Sequence, residues 1–195
     1  MHLIRYFALL LLLVCDPARA GETVSCAYPN KDSRELKPAE TCGSVSADGR
    51  LRLDASITDN IDWNKYGLEC IYVYGTEDQD GWYFINQAGA GRISPFLQDN
   101  DCAPFTAGVA AGLSHGKVVF YNQALEIVKR TDYVWASGYR QGVAKVCRGE
   151  LVKAYDAGGE HYEYQGGHCG YIDTNFEVVV PVEYPYESTP EPDGL

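Results

Sequence analysis

The chain has 195 residues, with 27 acidic and 16 basic side chains and a formal net charge of −11 at pH 7. This acidity argues against nucleic acid and anionic lipid as partners, because the chain lacks a basic surface that could displace counterions from phosphates. The length fits one domain that can bury a sizeable core.

Residues 1–20 have the composition of a secretory signal peptide. Arg5 provides a basic start, residues 7–15 are apolar, and Ala18-Arg19-Ala20 matches a signal-peptidase site. The apolar run is too short for a membrane span, and no later segment is long enough. We therefore expect cleavage after Ala20 and a periplasmic or secreted mature protein. Lipidation at Cys15 is the weaker alternative, since the preceding Val14 is not small.

Six cysteines remain after this cleavage, which favours disulfides over zinc because no C-x-x-C pair is present. Six cysteines allow 15 connectivities, and spacing alone does not choose among them. We expect each cysteine to pair with its neighbour in the sequence: Cys26 with Cys42, Cys70 with Cys102, and Cys147 with Cys169.

Short aromatic and β-branched runs separated by Gly, Asn and Asp predict an all-β fold. The clearest runs are residues 70–74, 82–85, 118–121 and 177–180. Leu51, Leu53, Ala55 and Ile57 alternate as in a half-buried strand. Residues 33–40 could form a helix, although Pro38 weakens that prediction.

Three strand phrases recur along the chain. The first begins with glycine, at 67–71, 108–112 and 142–146. The second ends in Asn86, Asn122 or Asp173, and a third strand follows each of these residues. Recurrence at 34 to 51 residues predicts a tandem array whose units stack to form one core.

These units resemble bacterial WG repeats, which combine Gly-x-Ala-x-Val, Trp-Gly-Tyr-Ile-Asp and a Val-Ile-Pro strand. The third unit matches best, with residues 142–146, 170–173 and 179–181, although the Trp-Gly dipeptide itself is absent and Trp82 follows Gly81 instead. The resemblance implies tandem β-units, with no catalytic residue, cofactor or ligand to carry over.

The predicted organisation has five parts. These are the signal peptide 1–20, a disulfide-looped cap 21–48, a WG-like β-repeat domain 49–186, an insertion 148–168 within that domain, and a disordered acidic tail 187–195.

A hydrolase is the first alternative function. Residues 112–116 fit the G-x-S-x-G pattern around Ser114, and Asp132 or Asp156 followed by His161 or His168 would complete a triad. That motif needs a helix after the serine, whereas residues 117–121 are typical of a strand. An ordinary turn is therefore the favoured interpretation of Ser114.

Metal sites are weaker alternatives. Asp78, Asp80 and Gly81 partly match a calcium loop, but Gln87 stands where a bidentate glutamate is needed. The insertion carries side chains that could bind a metal or a partner, and we favour a partner: Glu150, Asp156, Glu160, His161, Glu163 and His168.

The sequence thus predicts an exported, non-catalytic β-repeat domain without a cofactor or bound metal, which binds another protein or an envelope component. The hydrolase centred on Ser114 is one alternative. An inhibitor or immunity-type protein that binds a cationic partner is the other. The sequence leaves the oligomeric state and the ligand open.

Overall fold

The computed structural model describes residues 21–75, 80–94, 97–98, 101–159 and 161–195. The predicted signal peptide, residues 76–79 of the weak calcium-loop match and Glu160 of the insertion lie outside the described residues.

Six antiparallel strands close into a barrel. They are β1 Glu22–Pro29, β2 Leu36–Val45, β3 Arg50–Leu53, β4 Leu68–Tyr74, β5 Gly81–Asn86 and β6 Ala90–Ile93. Their order is β1-β2-β3-β6-β5-β4, and β1 closes the barrel by pairing with β4. Alternate residues of β1, namely Val24, Cys26 and Tyr28, point into the core, as the period of two in a strand requires.

Two further sheets follow the barrel. The second sheet contains β9 Val109–Ser114, β10 Lys117–Asn122 and β11 Ile127–Arg130, and the third contains β12 Trp135–Ala136, β13 Val143–Tyr155, β14 Tyr162–Asp173 and β15 Val178–Tyr184. β7 Leu97–Gln98 and β8 Asp101–Cys102 form a small ribbon before them, and a 3₁₀ helix, Tyr186–Ser188, follows β15. Leu68 and Phe84 of the barrel pack on Val119 and Tyr121 of the second sheet. Phe120 packs with Val146 and Ile172 of the third sheet, so one continuous structure results.

The same turn recurs at four places in the chain, after β2, β5, β10 and β14. The amide of the residue three positions on donates to the carbonyl of Ser46, Asn86, Asn122 and Asp173. In each case the side-chain oxygen also accepts the amide four positions on. The residue at the third position has a positive φ and is Gly49, Gly89, Leu125 or Phe176.

The three predicted cysteine pairs are confirmed. Their Cα atoms lie 6.0 Å apart in Cys26–Cys42, 5.9 Å apart in Cys70–Cys102 and 4.1 Å apart in Cys147–Cys169. Cys147 lies opposite Cys169 in the ladder between β13 and β14. The disulfide therefore joins neighbouring strands at the start of the predicted insertion.

The all-β prediction is confirmed, but the architecture is a barrel with separate sheets instead of a stacked array of like units. Long-range pairing of β1 with β4 and of β3 with β6 closes the barrel, and no local pattern specifies such pairs. The predicted cap 21–48 forms β1 and β2 of this barrel.

Two local predictions were wrong. Residues 36–40 of the predicted helix belong to β2, and residues 36–39 pair with β1. The alternating strand through Ile57 ends at Leu53, and Ala55–Thr58 form the short helix α1, which buries Ile57. Of the tail predicted to be disordered, residues 187–188 belong to the 3₁₀ helix. No helix among the described residues is long and apolar enough to cross a membrane.

Candidate functional site: an aromatic face on a projecting β-arm

β13 and β14 continue well past the disulfide. β12 pairs with Val146 and Cys147 of β13, and β15 pairs with residues 169–172 of β14. Beyond these positions β13 and β14 pair with each other, from Leu151 opposite Gly166 to Tyr155 opposite Tyr162. We call residues 151–155 and 162–166 the arm. Among the described strands, none pairs with either outer edge of the arm.

Glycines shape the base of the arm. The register shifts between Arg148 and Leu151, and Gly149, Gly166 and Gly167 have φ values of 76°, 81° and 63°. Non-glycine residues adopt this left-handed backbone only with strain. A Cβ on Gly167 would also lie 2.9 Å from a Leu151 methyl group. The base is therefore a bulge that redirects the arm relative to the sheet.

Aromatic rings form a connected row on one side of the arm. Lys153 lies opposite Tyr164 and Tyr155 opposite Tyr162, so these four side chains share a face. The ring centroids are 5.6 Å apart for Tyr155–Tyr162 and 5.4 Å apart for Tyr162–Tyr164. Tyr164 also contacts Trp135 and Tyr186, at 5.4 and 5.5 Å, and those two rings contact each other at 5.2 Å. We call Trp135, Tyr155, Tyr162, Tyr164 and Tyr186 the aromatic face.

The aromatic face runs from partly buried to exposed. Trp135 lies opposite Cys147 in the ladder, on the side of the fully buried disulfide. Burial and the neighbouring Tyr162 hydroxyl raise the pKa of Tyr164 to about 12. Toward the tip, Tyr162 and Tyr155 are 44% and 58% exposed. Exposed, connected rings of this kind are typical of a recognition surface, because they offer a large contact area at low entropic cost.

Two lysines lie on these rings. The ammonium of Lys153 is 4.1 Å from the ring centroid of Tyr162, and that of Lys145 is 4.0 Å from the centroid of Tyr186. Lys145 also donates a hydrogen bond of 2.6 Å to the Tyr186 carbonyl. Burial lowers the pKa of Lys145, while Glu191 and Glu187 act in the opposite direction. The faces of these rings therefore already accommodate cations.

A cleft separates the arm from the C-terminal 3₁₀ helix. Its volume is about 510 Å³, and its walls are Lys145, Tyr162, Glu163, Tyr164, Tyr186 and Glu187. Glu187 accepts a 3.1 Å hydrogen bond from the amide of Gly166, which links the helix to the base of the arm. The cleft thus combines aromatic rings with two carboxylates.

The predicted loop residues lie along the arm and around it. Glu150 is in the bulge, Asp156 and His161 flank the tip, Glu163 lines the cleft, and His168 lies opposite Arg148. All five are exposed. Among the described residues, the one group close enough to share a metal ion is Cys70, Asp101 and Cys102. Its two cysteines form a disulfide and therefore cannot supply thiolate ligands.

The sequence showed that the insertion combines charged side chains with three tyrosines, but not that these tyrosines lie on one face with Trp135 and Tyr186. Lys153 and Tyr155 are two residues apart, as are Tyr162 and Tyr164. This spacing could have indicated that each pair lies on one face of a strand. Trp135 and Tyr186 join them only through the tertiary fold.

Ser114 is in a tight hairpin. It lies opposite Lys117, and His115 and Gly116 between them have φ values of 52° and 69°. The Ser114 hydroxyl is 3.1 Å from Nδ1 of His115. Strand β10 follows the turn, so the strand–turn–helix context of a nucleophile elbow is not formed here.

A second cavity of about 500 Å³ lies beside the Cys70–Cys102 disulfide, where Phe84, Phe105 and Glu69 are among its lining residues. Burial raises the pKa of Glu69, and the charges of Asp101 and Asp62 add to that effect, while the hydrogen bond from the Cys70 amide opposes it. Glu69 is half-buried, and Asp101 places a second carboxylate in the lining of the same cavity.

No family model, no curated protein and no solved structure matches the chain.

Proposed function

We propose that the chain is an exported, non-catalytic binding protein that holds a protein or envelope component on its arm. The observation that carries this proposal is the exposed aromatic face on a ribbon that extends beyond the paired part of its sheet. Three disulfides fit an oxidising compartment outside the cytoplasm.

We further propose that the domain consists of WG-like repeat units. The recurring turn supports this, because the same hydrogen bonds and the same positive φ follow Asn86, Asn122 and Asp173, the ends of the second phrases. The turn at Ser46 extends the pattern to β1, β2 and β3. In this interpretation the first two units pair side by side to close the barrel, and the arm is an extension of the first hairpin of the last unit.

The arm suits recognition better than packing. None of its residues belongs to a buried core cluster, and Val152 is 56% exposed in addition to the tyrosines. Tyrosine and tryptophan are enriched at interface hot spots, where one ring fills a partner's pocket. The disulfide at the base of the arm lowers the entropy lost when a partner orders it.

Replacing residues 150–166 with a four-residue Gly-Ser linker tests the proposal. We expect the β-sheet circular dichroism and the melting temperature to change little, and capture of the partner from the exporting compartment to be lost. A finer test is Tyr155→Ala with Tyr162→Ala, which removes the two most exposed rings of the aromatic face.

The matched control is Tyr66→Ala with Tyr74→Ala, since these two tyrosines, which lie before β4 and at its end, are 63% and 51% exposed. We expect this control variant to capture the partner as well as the unsubstituted protein does. A linker variant that stays folded and still captures the partner would refute the arm as the binding site. A linker variant that unfolds would show that the arm is part of the core.

A further inference from the structure

The charge around the aromatic face indicates what kind of partner it fits. Residues 143–168 and 183–195, which form and flank the arm and its cleft, contain eight acidic and three basic side chains. Two of the acidic ones, Glu163 and Glu187, line the cleft itself. The charge of Glu163 also contributes to the raised pKa of Tyr186, after burial and Tyr171, so its field reaches the ring across the cleft.

The basic side chain that lines the cleft, Lys145, already has partners. Its ammonium donates a hydrogen bond to the Tyr186 carbonyl and lies on the Tyr186 ring. Glu187 receives the Gly166 amide through one oxygen, which leaves the other oxygen for a further donor. Lys153 already lies on the Tyr162 ring, so a cation from outside would meet two carboxylates and the ring of Tyr164.

We infer that this cleft binds an arginine side chain from a basic, extended segment of a partner protein. The inference rests on the proposed function and names the partner's chemistry. A guanidinium suits the cleft better than an ammonium, because it is planar, stacks on an aromatic face and donates to two carboxylates at once. The exposed Tyr155 and Tyr162 would then contact residues that flank the arginine.

Calorimetry on the mature protein with three capped peptides tests this inference. The peptides alternate serine with arginine, with lysine or with citrulline. Citrulline keeps the shape of arginine without its charge. We expect the arginine peptide to bind most tightly, the citrulline peptide about tenfold or more weakly, and the lysine peptide in between. Raising the salt concentration should weaken the binding of the arginine peptide and leave the binding of the citrulline peptide unchanged.

Glu163→Gln with Glu187→Gln should weaken arginine-peptide binding about tenfold or more, while the glutamine can still accept the Gly166 amide. The control is Glu35→Gln with Glu40→Gln, which removes the same charge from exposed positions before and within β2 and should leave the affinity within about twofold. Equal losses in both pairs would mean that only the overall charge matters, and would overturn the inference.

Other outcomes also overturn it. They are equal binding of the citrulline peptide, no binding of the arginine peptide at millimolar concentration, or sedimentation that shows a second copy of the chain covering the cleft. If the linker variant loses the natural partner while the Glu163 and Glu187 variant retains it, the arm binds a partner of different chemistry. In that case this inference fails and the proposed function stands.

Discussion

Removing the Cys147–Cys169 disulfide should destabilise the domain by an amount that follows from the loop it closes. Its cysteines are 22 residues apart, and the chain-entropy relation gives about 3.4 kcal/mol for such a loop. Both cysteines are fully buried, so replacement with alanine also removes packing, by about 1–2 kcal/mol for the pair. We therefore expect the double alanine variant to lose about 4–5 kcal/mol of unfolding free energy.

The linker variant of the arm separates the two contributions. A four-residue linker in place of residues 150–166 shortens the closed loop to about nine residues, and the entropic contribution falls by about 0.8 kcal/mol. The packing loss stays the same, because Trp135 and the strands around the disulfide are retained. The double alanine substitution should therefore be less destabilising in the linker variant than in the full chain.

Urea unfolding followed by tryptophan fluorescence measures these differences, since Trp135 lies next to the disulfide. A thiol assay on the unfolded mature protein should detect no free cysteine. A loss below about 1 kcal/mol, or a free thiol in the unsubstituted protein, would refute the disulfide framework. Equal losses with and without the arm would show that packing, and not loop closure, accounts for the effect.

Two further predictions concern single side chains. Burial raises the pKa of Glu69, so stability associated with its protonated form is present at acid pH and is lost as the pH rises through the raised pKa. Glu69→Gln should therefore raise the urea midpoint at pH 7 and leave it unchanged near pH 4, whereas a decrease at pH 7 would contradict this reasoning; Glu40→Gln is the exposed control. Ser114→Ala should change stability by no more than about 0.5 kcal/mol, because the residue is in a hairpin turn. Covalent labelling of Ser114 by a fluorophosphonate would contradict the turn interpretation and support a hydrolase.

Much of the local structure could be predicted because strands and turns leave local signals. Three of the four aromatic and β-branched runs lie in β4, β5 and β10, and the fourth, 177–180, lies in β15 from Val178 onward. Disulfide pairing between sequence neighbours also succeeded. Two of the three pairs, Cys26–Cys42 and Cys147–Cys169, join adjacent antiparallel strands, whereas Cys102 reaches Cys70 from the separate ribbon of β7 and β8. The barrel could not be predicted, since β1 pairs with β4 and β3 with β6 across about 40 to 50 residues and period-two patterning does not name a distant partner.

Composition alone misjudged two segments. Residues 36–40 are exposed or partly exposed and so resemble a surface helix, but the backbone of residues 36–39 pairs with β1. The strand alternation that begins at Leu51 stops after Leu53, because Asp54 precedes helix α1. Ile57 is buried, but it belongs to this helix and not to a strand. A spacing of two residues between buried positions is thus ambiguous when a segment is this short.

The arm shows why the candidate site was only partly visible in the sequence. In the second sheet the first hairpin closes at once, with two residues between Ser114 and Lys117, whereas in the third sheet the equivalent strands continue through the bulge for another five pairs. Acidic residues, histidines and glycines in this segment resemble a solvated insertion, which is why its charged side chains were selected. Once the strands continue, alternation places Lys153, Tyr155, Tyr162 and Tyr164 on one face, next to rings from distant parts of the chain. Because the buried residues of these two strands end at Cys147 and Cys169, we expect the identity of the arm's side chains to have little effect on folding, which leaves them available for recognition.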